Sequence, residues 1–127
     1  MNHHHERPLV YIAGPYAHPD PVANTHNAVK MADGLHATGL VTCVVPHLSL
    51  LWHAISPQPP EHWYDYDLAI LARCDALYRI PGPSTGADHE VAFAEDRARI
   101  PVFHAQTDLI DWAMAFQKGK LPRGLVL

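Results

Sequence analysis

"PLVYIAG", residues 8–14, is the stretch whose reading decides the fold. Leu9, Val10, Tyr11, Ile12 and Ala13 form a short apolar run without the polar alternation of a half-exposed strand, and Gly14-Pro15 stops it. Such a run reads as a buried strand covered on both faces, the environment of a central strand in a parallel sheet.

Working outward, the chain alternates helix and strand signals. Between Pro21 and Thr38 the residues Ala28, Met31, Ala32 and Leu35 recur at helical spacing, and Gly39 supplies a stop. "LVTCVVP" (40–46) reads as a second strand, followed by a long connection from His47 to Pro60 that contains "SLLWHAIS". Pro59 and Pro60 then lead into "EHWYDYDLAILARC" (61–74) as a helix, and "DALYRI" (75–80) is the third strand. After the turn "PGPSTGADHE" (81–90) come a helix in "EVAFAEDRAR" (90–99), a strand in "IPVFHA" (100–105) and an amphipathic helix in "TDLIDWAMAFQ" (107–117), with Thr107 as its expected cap. The tail "KGKLPRGLVL" (118–127) is expected to dock on the domain or on a neighbouring subunit. The fold class this implies is α/β: a flavodoxin-like or Rossmann-like three-layer sandwich around a small central parallel sheet.

At 127 residues the chain suits one domain over 8–127, with residues 1–7 a disordered or tag-like start that includes His3, His4 and His5. The net charge of −4 and the scatter of nine Lys and Arg argue against nucleic acid as partner, so a small molecule is expected. No apolar run reaches the roughly 20 residues of a membrane span, and no signal peptide is expected. Cys43 and Cys74 lack CxxC spacing and read as buried free thiols of a cytoplasmic protein. The eleven histidines show neither HExxH nor paired-ligand spacing, so neither a metal nor another cofactor is expected.

In parallel sheets, ligands bind outside the carboxyl ends of the strands at a topological switch point. That gathers three segments at one edge, and their candidate substrate-binding residues are Gly14, Pro15 and Tyr16, then His47, Trp52 and Trp63, then Ser84 and Gly86. The first segment has neither GxGxxG nor GxxxxGK[ST], so Gly14 is read as allowing close approach of a ligand to the backbone. Trp52, Trp63 and Tyr64 suit stacking on a planar base, and equally suit sealing a core or subunit contact.

Two carboxylates are candidates for chemistry. On the helix from Glu61, Trp63, Tyr66, Ile70 and Leu71 share an arc, and Asp67 falls inside it. An acid on an apolar face needs a partner such as Arg73, or a function. Glu90 follows Gly86 by four residues and is expected in or just after the first helical turn, where free N–H groups keep it ionised at neutral pH. The same position suits a capping-box acid reaching back to Ser84 or Thr85, and periodicity does not choose between the roles. Two acids in unlike environments are the arrangement that separates an acid from a nucleophile, and convergence at about 5 Å would permit retaining glycosidic cleavage. Tyr11, at the end of the first strand, can donate a hydrogen bond to a carboxylate or simply fill the core.

Taken together, "YIAGPY" (11–16), "WYDYDLAILARCDALYRIPG" (63–82) and "STGADHEVAFA" (84–94) resemble the nucleoside 2-deoxyribosyltransferase family, including its nucleotide N-hydrolase branch. The resemblance implies a flavodoxin-like fold, cofactor-free cleavage or transfer at the N-glycosidic bond of a nucleoside or its 5′-monophosphate, and a homo-oligomer whose subunits complete one another's pockets. It implies Glu90 as the nucleophile, Asp67 as the acid that handles the leaving base, Tyr11 as the residue orienting Glu90, Ser84 as a hydroxyl contacting the sugar or 5′ end, and Gly14 as part of the sugar pocket. The loop "GPYAHPD" (14–20) departs from the N-hydrolase branch by lacking its arginine, leaving His18 or backbone N–H groups to meet a phosphate. "PHLSLLWHAISPQPPEHW" (46–63) has no counterpart in those branches and is expected on the base side of the pocket. Two other readings stay open: a phosphoribohydrolase releasing cytokinin-type bases, and a nucleotide-binding sensor without turnover.

Overall fold

The computed structural model describes residues 4–119. Four parallel strands, β1 (Leu9–Ala13), β2 (Thr42–Val44), β3 (Ala76–Arg79) and β4 (Val102–Phe103), lie in the order β2-β1-β3-β4. This is the flavodoxin-like order, and its switch point falls between β1 and β3. The helices are α1 (Pro21–His36), α2 (Ser49–Ile55), α3 (Pro60–Leu71), α4 (Thr85–Phe93) and α5 (Gln106–Gly119). A 3₁₀ turn at His4–Glu6 precedes β1.

β1 explains the three layers. Val10 and Ile12 face one way and join Ala28, Leu35, Leu109 and Ala113 of α1 and α5; Tyr11 and Ala13 face the other and join Leu71, Ala87 and Ala94. β3 repeats the division, with Ala76 and Tyr78 on the first side and Leu77 on the second. Because successive strand residues alternate faces, an unbroken apolar run is what a strand between two helical layers requires.

Helix ends follow their local chemistry. The Asp20 carboxylate accepts from the Val22 N–H at 3.0 Å ahead of α1, with Pro21 in the first turn. Past the end of α1, Gly39 takes a φ of +74° that favours glycine. Asn24 returns to the β1–α1 loop, donating to the carbonyls of Tyr16 and His18, each at 2.9 Å.

Several boundaries differ from the sequence expectation. The connection after β2 is not a plain loop: a 3₁₀ turn (Pro46–Leu48) runs into α2. At seven residues, with none buried, α2 is too short and too superficial to show a repeat against a core. The fourth strand pairs only Leu77 with Val102 and Tyr78 with Phe103, so "IPVFHA" contributes two residues at a sheet edge. Since α5 begins at Gln106, Thr107 sits inside its first turn instead of capping it. α4 begins five residues before Glu90 at Thr85, and a π-helical turn (Ala94–Ala98) extends it to Arg99 at φ +56°. The expected docking of the tail falls outside the described residues from 120 onward.

Gly14 also has a packing role that its sequence context did not reveal. A Cβ there would meet Ile80 Cβ at 3.0 Å, beside the bond from the Ile80 N–H to the Ala13 carbonyl at 2.7 Å. The glycine lets the ends of β1 and β3 close on each other. A Cβ on Gly86 would meet nothing within 4 Å. Gly14→Ala should therefore cost about 1–3 kcal/mol in urea unfolding through overpacking, whereas Gly86→Ala, in a helix, should leave stability equal or raise it by roughly 0.5–1 kcal/mol.

Candidate active site

A cavity of about 390 Å³ opens where the segments following β1 and β2 meet α2, α3 and α4. Of the expected substrate-binding residues, Gly14, Tyr16, His47, Trp63, Ser84 and Gly86 line it, together with the two acids Asp67 and Glu90. Pro15 and Trp52 are not among its lining residues. The Pro15 carbonyl instead faces His47 Nε2 at 3.0 Å, and Trp52, half exposed, packs edge-on against Trp63 and Tyr66. On α3 the inward residues are Trp63, Asp67, Leu68, Ile70 and Leu71, whereas Tyr66, expected on the same arc, is exposed.

Glu90 is not a capping acid. Ser84 is the N-cap of α4, its hydroxyl accepting from the Ala87 N–H at 3.1 Å, so the third helical position that a capping-box acid would fill belongs to Ala87. Glu90 lies one turn further on, away from the orphan N–H groups, and faces the sheet. There the hydroxyl of Tyr11, a fully buried residue of β1, donates to its Oε2.

Position changes protonation. Burial pushes the Glu90 carboxyl up to about 7, against the opposing pull of the Tyr11 hydrogen bond and the Arg79 charge. The expectation of full ionisation from the helix terminus is thus corrected, because the carboxylate is too far along α4 to gain from it. Burial, and secondarily the neighbouring Glu90 charge, pushes Asp67 up to about 7 as well. Arg73 does not relieve Asp67: its guanidinium donates to the Ala69 carbonyl at 2.8 Å, and Asp67 Oδ1 is buried with no partner. Burial, followed by the two carboxylate charges, drives the Tyr11 phenol far above its ordinary range, so it remains a donor.

Arg79 escaped the sequence reading, although a cation ending an otherwise apolar strand, "DALYRI", was the available signal. It is 8% exposed, donates to the carbonyls of Ile80 and Gly82, and pairs with Asp88 of α4 at 2.9 Å. One guanidinium thus fastens the turn after β3 to the helix that carries Glu90. His53, Gln58 and Tyr64 also line the cavity without having been singled out for it, except for the stacking read for Tyr64. His53 belongs to α2, so its place on the wall followed from a helix the sequence did not reveal.

Neither cysteine forms a disulfide, Cys74 being buried and Cys43 half-buried, and neither lines the cavity. Among the described residues no group of His, Cys, Asp and Glu is arranged to hold a metal ion, and no helix is long and apolar enough to cross a membrane. Comparison of the chain with protein-family models finds no match, and comparison with curated proteins finds none.

The raised carboxyls carry a signed consequence for stability. A protonated, buried Glu90 in the folded state against an ionised one in the unfolded chain makes folding take up a proton, so stability falls as pH rises from about 4.5 to about 7. Its share is on the order of 2–3 kcal/mol. Glu90→Gln should stabilise the protein at pH 8 relative to wild type and lessen the fall in denaturation midpoint across that interval, with Asp67 accounting for the slope that remains; an unchanged slope would contradict the burial argument.

Proposed function

We propose that the protein cleaves or transfers the glycosyl group of an N-glycoside, a nucleoside or its monophosphate, through a covalent intermediate on Glu90. The observation that carries this is the unequal treatment of two acids on one cavity. Glu90 receives the Tyr11 hydroxyl and the influence of Arg79, both of which favour its charged form, while Asp67 keeps an oxygen with no partner. The two titrate as a pair near neutrality, and when one proton is left between them these contacts hold it on Asp67.

That state is the one retaining cleavage needs. Tyr11 occupies Glu90 Oε2, leaving Oε1 to attack the anomeric carbon as the C–N bond breaks. Asp67 delivers its proton to the departing base. Water, or the nitrogen of a second base, then attacks the anomeric carbon, Asp67 accepts the proton released, and the Glu90 ester bond breaks to restore the carboxylate. Trp63 and Tyr64 on the α3 wall supply faces for a planar base, and Ser84 and Gly86 supply polar groups for the sugar end. The sequence resemblance to nucleoside 2-deoxyribosyltransferases points to the same roles for Glu90, Asp67 and Tyr11.

Incubation with a 2-fluoro-sugar nucleoside analogue should add one glycosyl increment to the intact mass, absent in Glu90→Ala. Nucleoside binding with neither increment nor base release would favour a sensor instead. Activity should follow a bell-shaped pH profile centred near neutrality, since Glu90 must be ionised and Asp67 protonated. Asp67→Asn should lower kcat about 10²–10⁴-fold and remove the alkaline limb. Tyr11→Phe should move the acid limb to higher pH, because the lost hydrogen bond had favoured ionised Glu90; a limb that stays in place would rule out Tyr11 as its tuner.

A further inference from the structure

His47 follows β2 in the 3₁₀ turn Pro46–Leu48 and is 4% exposed, yet it lines the cavity. Its Nε2 lies 3.0 Å from the Pro15 carbonyl oxygen. A carbonyl can only accept, so Nε2 carries a hydrogen. Burial lowers the affinity of the ring for a second proton, and the nearby backbone carbonyls of Pro15 and Gly14 offset this only in part. The ring is therefore neutral, with a lone pair on Nδ1, and Nδ1 is buried without a partner. The ring is braced where it is: Tyr16 meets it edge-on at 5.8 Å between centroids, and Thr25 Oγ1 donates to the His47 carbonyl at 3.4 Å.

The other cavity histidine is different. His53 Nδ1 accepts from the Trp63 indole N–H at 2.8 Å and from the Gln58 N–H at 3.3 Å, so its acceptor is already used within the protein. A buried acceptor left open on a cavity wall is costly unless a ligand or water completes it. A neutral ring whose only hydrogen is committed to Pro15 cannot satisfy a ligand acceptor at Nδ1.

We infer that His47 is a specificity residue that reads a hydrogen-bond donor, an O–H or N–H of the ligand, through Nδ1. The donor completes the orphan acceptor, and an analogue presenting an acceptor or a methyl group there faces an unpaired lone pair. The choice of nucleosides as ligands rests on the glycosidase reading above; the acceptor chemistry of His47 does not.

The test is calorimetric binding of the common ribonucleosides and 2′-deoxynucleosides, and of their 5′-monophosphates, to Glu90→Gln protein, which cannot form the intermediate. For the tightest ligand, analogues lacking one donor each (a hydroxyl replaced by hydrogen, an N–H methylated) are then compared. One deletion should weaken binding roughly 10–100-fold, the range of a single hydrogen bond to a buried group. Adding His47→Phe should cost the same for the parent ligand and nothing more for that analogue, while His47→Asn, which returns an acceptor oxygen near Nδ1, should recover part of the loss. Unchanged binding in His47→Phe, or losses that add in full, would overturn the inference. If His47→Phe does not fold, the ligand series decides: no single deletion costing more than about 3-fold overturns it. Wild-type cleavage with a KM unaffected by His47→Phe sinks the His47 role and leaves the glycosidase standing. His47-dependent binding without cleavage or adduct does the reverse, and no binding across the panel overturns both.

Discussion

The hydrogen bond from the Tyr11 hydroxyl to Glu90 ties the central strand to α4, and the rest of the site depends on it. Burying a carboxylate against a sheet is unfavourable unless a donor meets it, and here the donor is the fully buried Tyr11 of the central strand β1. The bond fixes one oxygen of Glu90, directs the other away, and offsets part of the burial that raises its proton affinity. A second tie runs beside it, from Arg79 at the end of β3 to Asp88 on the same helix. Both ends of the switch point between β1 and β3 are therefore fastened to α4, one through a neutral donor and one through a cation.

Around this frame the cavity is walled by elements with little structural work of their own. α2 buries none of its residues in the core, and its Leu51 and Ile55 are exposed. It nevertheless contributes Ser49 and His53 to the cavity, and its Trp52 covers Trp63 from outside. The layer order explains the division. β1, β3, α1, α3, α4 and α5 supply the two cores, so the segment between β2 and α3 is free of packing demands and its composition can follow the ligand.

Most of this fold was legible because its central strands are buried on both faces. "PLVYIAG" and the Ala76–Tyr78 stretch of "DALYRI" carry the largely apolar run this requires, a pattern of composition visible in one dimension. β4 and α2 were less legible for the opposite reason: an edge strand of two paired residues and a seven-residue surface helix impose almost no pattern. At the site, Asp67 could be placed because a charge on an apolar helix face is anomalous in one dimension. Glu90 was found but misplaced along its helix, since "PGPSTGADHE" holds several competent caps and only the bond from the Ala87 N–H to Ser84 shows where the helix starts. Arg79 and the tautomer of His47 depend on contacts with residues distant in sequence or in backbone conformation, and no local spacing encodes them.

Polar satisfaction separates the cavity groups that serve the fold from those that await something else. Ser84, Arg79 and His53 each spend hydrogen-bonding capacity on a cap, a turn or an indole, so each has a structural reason for its place on or beside the cavity. Asp67 Oδ1 and His47 Nδ1 are buried with no protein partner, and both residues line the same cavity from opposite ends of the segment joining β2 to α3. A protonated Asp67 offers a donor and a neutral His47 an acceptor, so the two unmet groups are complementary in kind. A ligand presenting an acceptor at one and a donor at the other would complete both, and an apolar ligand would complete neither. That pairing makes a polar ligand a better chemical match to this cavity than a hydrocarbon of the same volume.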